Sequence, residues 1–287
     1  MVKTIGNPLS WMAQAVAESG HTAETVAGNL GSKTTGPPMV NKIGLDTIGR
    51  ALRLGVDDFA AFRTDVIFLV AIYPVIGILL ALMAFDMALL PLFFPVAAGF
   101  ALIGPVAGIG LYEMSRRRAA GEPTSWSAAL GALRARVVGP VMVLGLYLLA
   151  LFALWMFSAN AIYISTLGPE APESIGGFVT AILTTPQGWT MIGLGLGVGL
   201  LFALVVLVTS LVSFPMLTDR RVGLPVAVAT SLRVAGENPV TVMTWGLIVA
   251  VLLAVAAIPL FVGLIIVMPL LGHATWHLYR AAVTFEE

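Results

Sequence analysis

Long apolar runs fill most of the chain from residue 66 onwards and alternate with short polar segments. A helix rises about 1.5 Å per residue and the hydrocarbon core of a bilayer is about 30 Å thick, so about 20 apolar residues make one crossing. Four runs pass this test, at residues 66–84, 89–112, 138–163 and 191–214. The pattern therefore predicts membrane-spanning helices.

A fifth apolar run, at residues 242–271, is too long for one crossing because a single helix of this length would measure about 45 Å. Pro259 lies near its middle, where proline breaks or kinks a helix. We divide the run into spans at 241–258 and 260–279 with Pro259 at the turn, and one kinked helix is the alternative. The sequence thus predicts an all-α polytopic membrane protein with six transmembrane helices.

The charges support this topology. Only 10% of the 287 residues are charged, against about 25% in soluble domains. With six spans, all 15 lysines and arginines fall on one side, while the other side carries Asp86, Glu170 and Glu173. Because short cytoplasmic loops collect basic residues, we expect that side, with both termini, to be cytoplasmic. The 15 acidic residues balance the basic ones, so the expected partners are the lipid bilayer and other membrane proteins, not nucleic acid.

Three similar tripeptides suggest an internal repeat. Residues 51–53 and 132–134 read Ala-Leu-Arg, and residues 231–233 read Ser-Leu-Arg. Each lies in a short amphipathic stretch that precedes a pair of predicted spans, which indicates three pseudo-repeated hairpins with a cytoplasmic amphipathic helix before each. Residues 1–43 are expected to form a mobile cytoplasmic arm, residues 44–283 the membrane domain and residues 284–287 a C-terminal tail.

Polar residues at the cytoplasmic interface are weak candidates for a site. His273 and His277 are four residues apart, on one helical face, where they could share a metal ion. Interfacial hydrogen bonding is the simpler interpretation, since no third ligand lies nearby in sequence. Glu113 ends the second span at the same depth, but Arg116 and Arg117 offer it local ion pairs. We therefore assign no catalytic, metal-binding or cofactor-binding residue and expect no cofactor; the chain also contains no cysteine.

Polar residues at membrane depth are few, and the predicted apolar cores contain no charged residue. This argues against a proton-coupled pump or a charged selectivity ring. The weak candidates for a cavity are Tyr147, Asn160, Thr209 and Ser210. Hydroxyl and amide groups in spanning helices usually bond a neighbouring helix or their own backbone. A glycine ladder in the fourth span is interpreted as a close-packing face for another helix; it comprises Gly193, Gly195, Gly197 and Gly199.

Four longer motifs carry a family resemblance. Residues 53–59, 72–77, 111–117 and 272–280 resemble the motifs of the domain-of-unknown-function 2189 family. That family consists of predicted bacterial integral membrane proteins, and the resemblance extends over about residues 45–283. It implies a multi-pass protein of the bacterial inner membrane. No functional residue transfers, because the family has no established activity.

These observations favour a non-enzymatic structural, assembly or accessory component of the membrane. The alternative is a carrier or channel for a small neutral or amphipathic molecule, which requires a polar cavity. A lipid-modifying enzyme is a third reading, and it requires Glu113, His273 and His277 to converge at the interface.

Overall fold

A computed structural model describes residues 38–70, 72–124, 135–259 and 261–285. Most of the predicted arm and the second tripeptide, at residues 132–134, lie outside the described residues. The described elements are nearly all helical, so the predicted all-α class agrees with the observed structure. The helices are α1 (Leu45–Val70), α2 (Ile72–Phe85), α3 (Phe93–Ala107), α4 (Ile109–Ala119), α5 (Ala135–Thr166), α6 (Ile175–Thr184), α7 (Pro186–Ser210), α8 (Ser213–Asp219), α9 (Leu224–Glu237), α10 (Pro239–Ala257) and α11 (Leu264–Ala282).

Among the described residues, three stretches are long and apolar enough to cross a membrane, namely Gly139–Thr166, Pro186–Asp219 and Pro239–Ala257. The other predicted spans are divided among shorter elements. The first is shared between α1 and α2, and the second runs through a 3₁₀ turn at Leu90–Leu92, α3 and the start of α4. An additional helix, α6, lies in the segment predicted to be an exported loop. A count of six crossings therefore stays a prediction.

The long fifth apolar run forms two helices and not one kinked helix. Helix α10 ends at Ala257, and Pro259 lies in the connection to α11. A Cβ atom added to Gly263 would lie 2.8 Å from the Cα atom of Ala256, so the chain doubles back at this point. Phe261 has a φ of 64° in the same connection. Proline ends α10 because it removes a helical hydrogen bond and clashes with the preceding turn.

Residues 38–43, the last part of the predicted arm at residues 1–43, form a strap against the rest of the fold. Strand β1 (Pro38–Val40) pairs antiparallel with strand β2 (Val283–Phe285), which includes part of the predicted tail. The backbone amide of Ile43 donates to Asn238 Oδ1 at 2.9 Å, and Lys42 Nζ donates to the carbonyl of Glu237 at 2.7 Å. The strap thus joins the end of α11 to the corner between α9 and α10. Two strands of three residues carry too little periodicity to be predicted.

One large hydrophobic cluster of buried side chains connects the described helices and includes Trp155 of α5. The indole Nε1 of Trp155 donates to the carbonyl of Pro95 in α3 at 2.8 Å. A Cβ on Gly199 of α7 would lie 3.2 Å from the same indole. Many large apolar side chains on the outer surface are exposed, Phe157 to 72% among them. Outward-facing apolar surface of this kind is expected where lipid replaces water.

The glycine ladder of α7 is covered only at one end. Gly199 faces Trp155, but a Cβ on Gly193, Gly195 or Gly197 would meet no atom within 4 Å. Within the part of the chain that the structure describes, the predicted close packing on this face is therefore limited to Gly199.

The two described tripeptides occupy similar environments. Ala51 and Ser231 are buried, whereas Arg53 and Arg233 are exposed. The helices that contain them differ, because α1 continues to Val70 and α9 ends at Glu237 before α10 begins. The pseudo-threefold arrangement stays a prediction.

Candidate functional site

Three helices meet around one buried carboxylate at the polar end of the fold. Asp58 of α1 accepts a hydrogen bond from Ser115 Oγ of α4 at 2.5 Å. His277 Nε2 of α11 lies 2.9 Å from the same Oδ2 atom of Asp58, and His273 Nδ1 lies 2.8 Å from Ser115 Oγ. Asp58, Ser115 and His273 are all at most 4% exposed. We call these four residues, together with Arg118, the Asp58 network.

The helices approach closely because a glycine lies at their contact. A Cβ on Gly55 would be 2.9 Å from both the Cβ and the backbone nitrogen of Ala274, so only glycine permits this spacing of α1 and α11. Asp58 follows Gly55 by one helical turn, and His277 follows Ala274 by three residues. The glycine thus positions the carboxylate against the imidazole.

The proton positions in the network follow from the donors available. An ionised carboxylate only accepts hydrogen bonds, so His277 carries a proton on Nε2. Ser115 has one proton and donates it to Asp58, so its oxygen accepts from a proton on His273 Nδ1. In the neutral imidazole this leaves His273 Nε2 as an acceptor, and that atom is buried with no hydrogen-bond partner in the part of the chain that the structure describes.

The charge of Asp58 is balanced by a third side chain, that of Arg118. Arg118 Nη1 of α4 lies 2.7 Å from Asp58 Oδ1, and the guanidinium also stacks over the ring of Phe62 at 5.8 Å. Burial opposes ionisation of Asp58, but the hydrogen bonds from His277 and Ser115 outweigh it and hold the pKa of the carboxyl below its ordinary value. Asp58 is therefore a carboxylate at neutral pH.

Glu113 lies on α4 near this network, but its carboxylate forms ion pairs with arginines of the same helix. Its carboxylate binds Arg116 Nε and Arg117 Nε, each at 2.7 Å. Burial raises the pKa of Glu113, and the bonds from Arg116 and Arg117 more than compensate, so the pKa is lowered overall. The structure brings His273 and His277 together through Asp58 and Ser115, while Glu113 pairs with the arginines that the sequence offers it.

The hydrogen bonds of the Asp58 network differ from those of a catalytic triad. In a Ser-His-Asp triad the carboxylate orients the histidine and the serine hydroxyl faces the substrate. Here the hydroxyl of Ser115 donates its hydrogen bond to Asp58, and His273 is fully buried. Among the described residues no group of three or more histidine, aspartate or glutamate side chains has an arrangement that could hold a metal ion.

A second polar cluster surrounds Asp219 at the end of α8. Its Oδ2 atom accepts from Tyr279 Oη at 2.8 Å and from Arg280 Nη1 at 3.1 Å. Arg220 Nε lies 3.7 Å from the same oxygen, and its guanidinium stacks over Phe285 of β2 at 5.1 Å. This cluster fixes α8 against the end of α11.

Residues 93–219 match the family model of predicted integral membrane proteins called DUF2189. The match confirms the resemblance found in the motifs over α3 to α8, and with the apolar helices it identifies a multi-pass integral membrane protein. No curated protein and no solved structure matches the chain. The DUF2189 match includes Ser115, Arg118 and Asp219, whereas Asp58, His273 and His277 lie outside it.

Sequence reasoning missed Asp58, although a signal for it exists. Ile48, Ala51 and Gly55 precede it at spacings of three to four residues, so Asp58 falls on the buried face of an amphipathic helix. A carboxylate on such a face requires partners from other elements. Adjacent Asp57 is exposed and lacks that requirement.

The four cavity candidates are not brought together. Asn160 lines a pocket of about 140 Å³ at the opposite end of the fold, together with Tyr163 and Pro169. Thr209 Oγ1 donates to the carbonyl of Val205 at 2.7 Å, and Ser210 Oγ donates to the carbonyl of Val206. Tyr147 packs against the hydrophobic cluster. The hydroxyls of Thr209 and Ser210 thus donate to backbone carbonyls of their own helix, α7.

Proposed function

We propose that this DUF2189-like protein is a non-enzymatic structural, assembly or accessory component of a bacterial inner membrane, with other membrane proteins as its partners. The observation that carries the proposal is the closure of the Asp58 network. Its carboxylate accepts hydrogen bonds from Ser115, Arg118 and His277. Ser115 and His273 are buried, whereas His277 is 17% exposed. Such a network stabilises the junction of three helices, and the hydroxyl of Ser115 is already engaged with Asp58.

The carrier alternative has less support. It requires polar side chains that converge on a cavity through the membrane. Asn160 does line a pocket, but Thr209 and Ser210 satisfy their hydroxyls on backbone carbonyls of α7.

The orientation that we propose places the polar end and both termini in the cytoplasm. Support comes from the distribution of charge along the described chain, where Asp86, Glu170 and Glu173 lie at the end without lysine or arginine. Because the chain contains no cysteine, single-cysteine labelling tests this directly. We expect Glu173→Cys to react with an impermeant maleimide on spheroplasts and Ala120→Cys to react only after permeabilisation. The reverse pattern would exclude the orientation.

The accessory role predicts protein neighbours at the polar end. A photoreactive amino acid in place of Leu232, which is 47% exposed on α9, should form protein crosslinks in native membranes. Phe157 is 72% exposed on the apolar face of α5 and provides the matched control, where we expect lipid adducts and few protein adducts. Absence of protein adducts at Leu232, with a monomer on gentle purification, would contradict the accessory role.

The enzymatic alternative makes the opposite prediction for the buried hydroxyl. If the Asp58 network is structural, Ser115→Ala retains the crosslinks at Leu232 and lowers only stability. Turnover of a membrane lipid that depends on Ser115 or His273 in reconstituted vesicles would establish an enzyme instead.

A further inference from the structure

Two arginines meet at one carboxylate where α8 ends and α11 approaches its own end, and a third, Arg221, follows them in sequence. Arg220 and Arg280 share the carboxylate of Asp219, which also accepts the hydroxyl of Tyr279. Arg221 follows directly, is exposed, and forms no ion pair with another residue that the structure describes. Among the residues that the structure describes, Asp219 is therefore the carboxylate that pairs with Arg220 and Arg280.

The cluster also holds hydrogen-bond donors that the protein does not use. Arg220 Nε is buried and has no hydrogen-bond partner among the described residues. At 3.7 Å, Asp219 is an ion-pair neighbour and not a hydrogen-bond acceptor. Arg280 is 51% exposed beyond its bond to Asp219. Helix α9 begins three residues after Arg221, and its N-cap residue Gly223 provides no side chain to the first turn. The partial positive charge of that turn adds to the charge of the arginines.

The position of the cluster identifies the kind of anion. The candidate span Pro186–Asp219 ends at the residue before Arg220. Helix α7 has 25 residues, which at about 1.5 Å per residue is about 37 Å and exceeds the hydrocarbon core, so the residues that follow it lie at the level of the lipid headgroups. Arginines at this depth meet phosphodiesters of membrane lipids before they meet soluble anions.

We propose that Arg220, Arg221 and Arg280 bind the headgroup phosphate of an anionic phospholipid. A guanidinium presents parallel N–H donors that match two phosphate oxygens. Asp219, which accepts the hydroxyl of Tyr279, holds Arg220 and Arg280 in place. The site does not depend on the proposed accessory role, since a carrier or an enzyme with the same fold would present it equally. It predicts a bound anionic lipid beside α8 and α9.

The experiment compares two charge-matched double variants of the full chain in detergent micelles. Binding of fluorescent phosphatidylglycerol is titrated for the wild type, for Arg221→Gln/Arg280→Gln and for the control Arg53→Gln/Arg233→Gln, whose arginines are exposed elsewhere. Since each arginine near a membrane surface contributes roughly fivefold, we expect the first variant to bind at least about tenfold more weakly and the control to bind within about twofold of wild type.

Three outcomes overturn the proposal. They are an equal loss in the control variant, equal affinity of the wild type for phosphatidylcholine, and full competition by inorganic phosphate at millimolar concentration, which would assign the site to a soluble anion. Should the double variant unfold, Arg221→Gln alone decides the matter, because Arg221 forms no ion pair among the described residues and its removal leaves the Asp219 contacts intact. Undiminished binding by a folded Arg221→Gln protein would also refute the site.

Discussion

Replacement of Asp58 is the sharpest test of the structural role of the network that joins α1, α4 and α11. Asp58→Asn keeps the size of the side chain but removes its charge and places an amide NH₂ group among donors. Removing one partner of a buried ion pair costs about 3 to 5 kcal/mol. Arg118 is 42% exposed, so solvent screens its contribution. We therefore expect the free energy of unfolding to fall by about 2 to 3 kcal/mol, mainly through the bonds to Ser115 and His277.

The assay is reversible unfolding in mixed micelles with increasing SDS, followed by far-UV circular dichroism. Asp57→Asn is the matched control, because Asp57 is the adjacent residue on the same helix and is exposed. We expect the control to change the free energy of unfolding by less than about 0.5 kcal/mol. Two results would refute the argument that this carboxylate holds the helices together. One is an equal loss of unfolding free energy in both variants, and the other is a loss below about 0.5 kcal/mol for Asp58→Asn.

Three further predictions follow from described contacts. The pKa values of Asp58 and Glu113 are lowered in the folded protein, so the contribution of these two carboxylates to stability is fully present above about pH 5 and is lost as pH drops through their folded pKa values. An SDS titration of Asp58→Asn should show a smaller fall over that lower range. Asn238→Ala removes the acceptor for Ile43 and should lower the free energy of unfolding by about 1 to 2 kcal/mol and raise amide exchange in the strap. Gly55→Ala should destabilise by more than about 1 kcal/mol, whereas Gly49→Ala, which meets open space, should be neutral or stabilising in the same titration.

Hydrophobic length predicts where the apolar helices lie but not where they break. The runs at 138–163, 191–214 and 241–258 correspond to α5, α7 and α10, because each is an uninterrupted apolar stretch. The run at 89–112 is interrupted at Gly108, between α3 and α4, in a region that also contains Pro105. Proline and glycine mark such breaks in sequence, yet whether a break bends a helix or ends it depends on contacts with distant elements.

Local pairs of the polar end could be predicted, and distant ones could not. His273 with His277, and Glu113 with Arg116 and Arg117, are three or four residues apart and follow from helical geometry. The bonds of Asp58 to Ser115 and His277 join residues 57 and 219 positions apart. No periodicity links positions at such separations, so their proximity follows only from the packed fold.

The separation of these partners explains why the network belongs to the architecture of the protein and not to one helix. Helices α1 and α11 contact each other although they lie near opposite ends of the described sequence. The strap also joins the first and last described segments, because β1 pairs with β2. An ionised group on the buried face of α1 destabilises any arrangement in which α4 and α11 are absent, because its charge would then lack partners. Asp58 therefore disfavours incomplete packing, because a buried charge without its partners is costly, whereas a hydrophobic residue at this position would carry no such penalty.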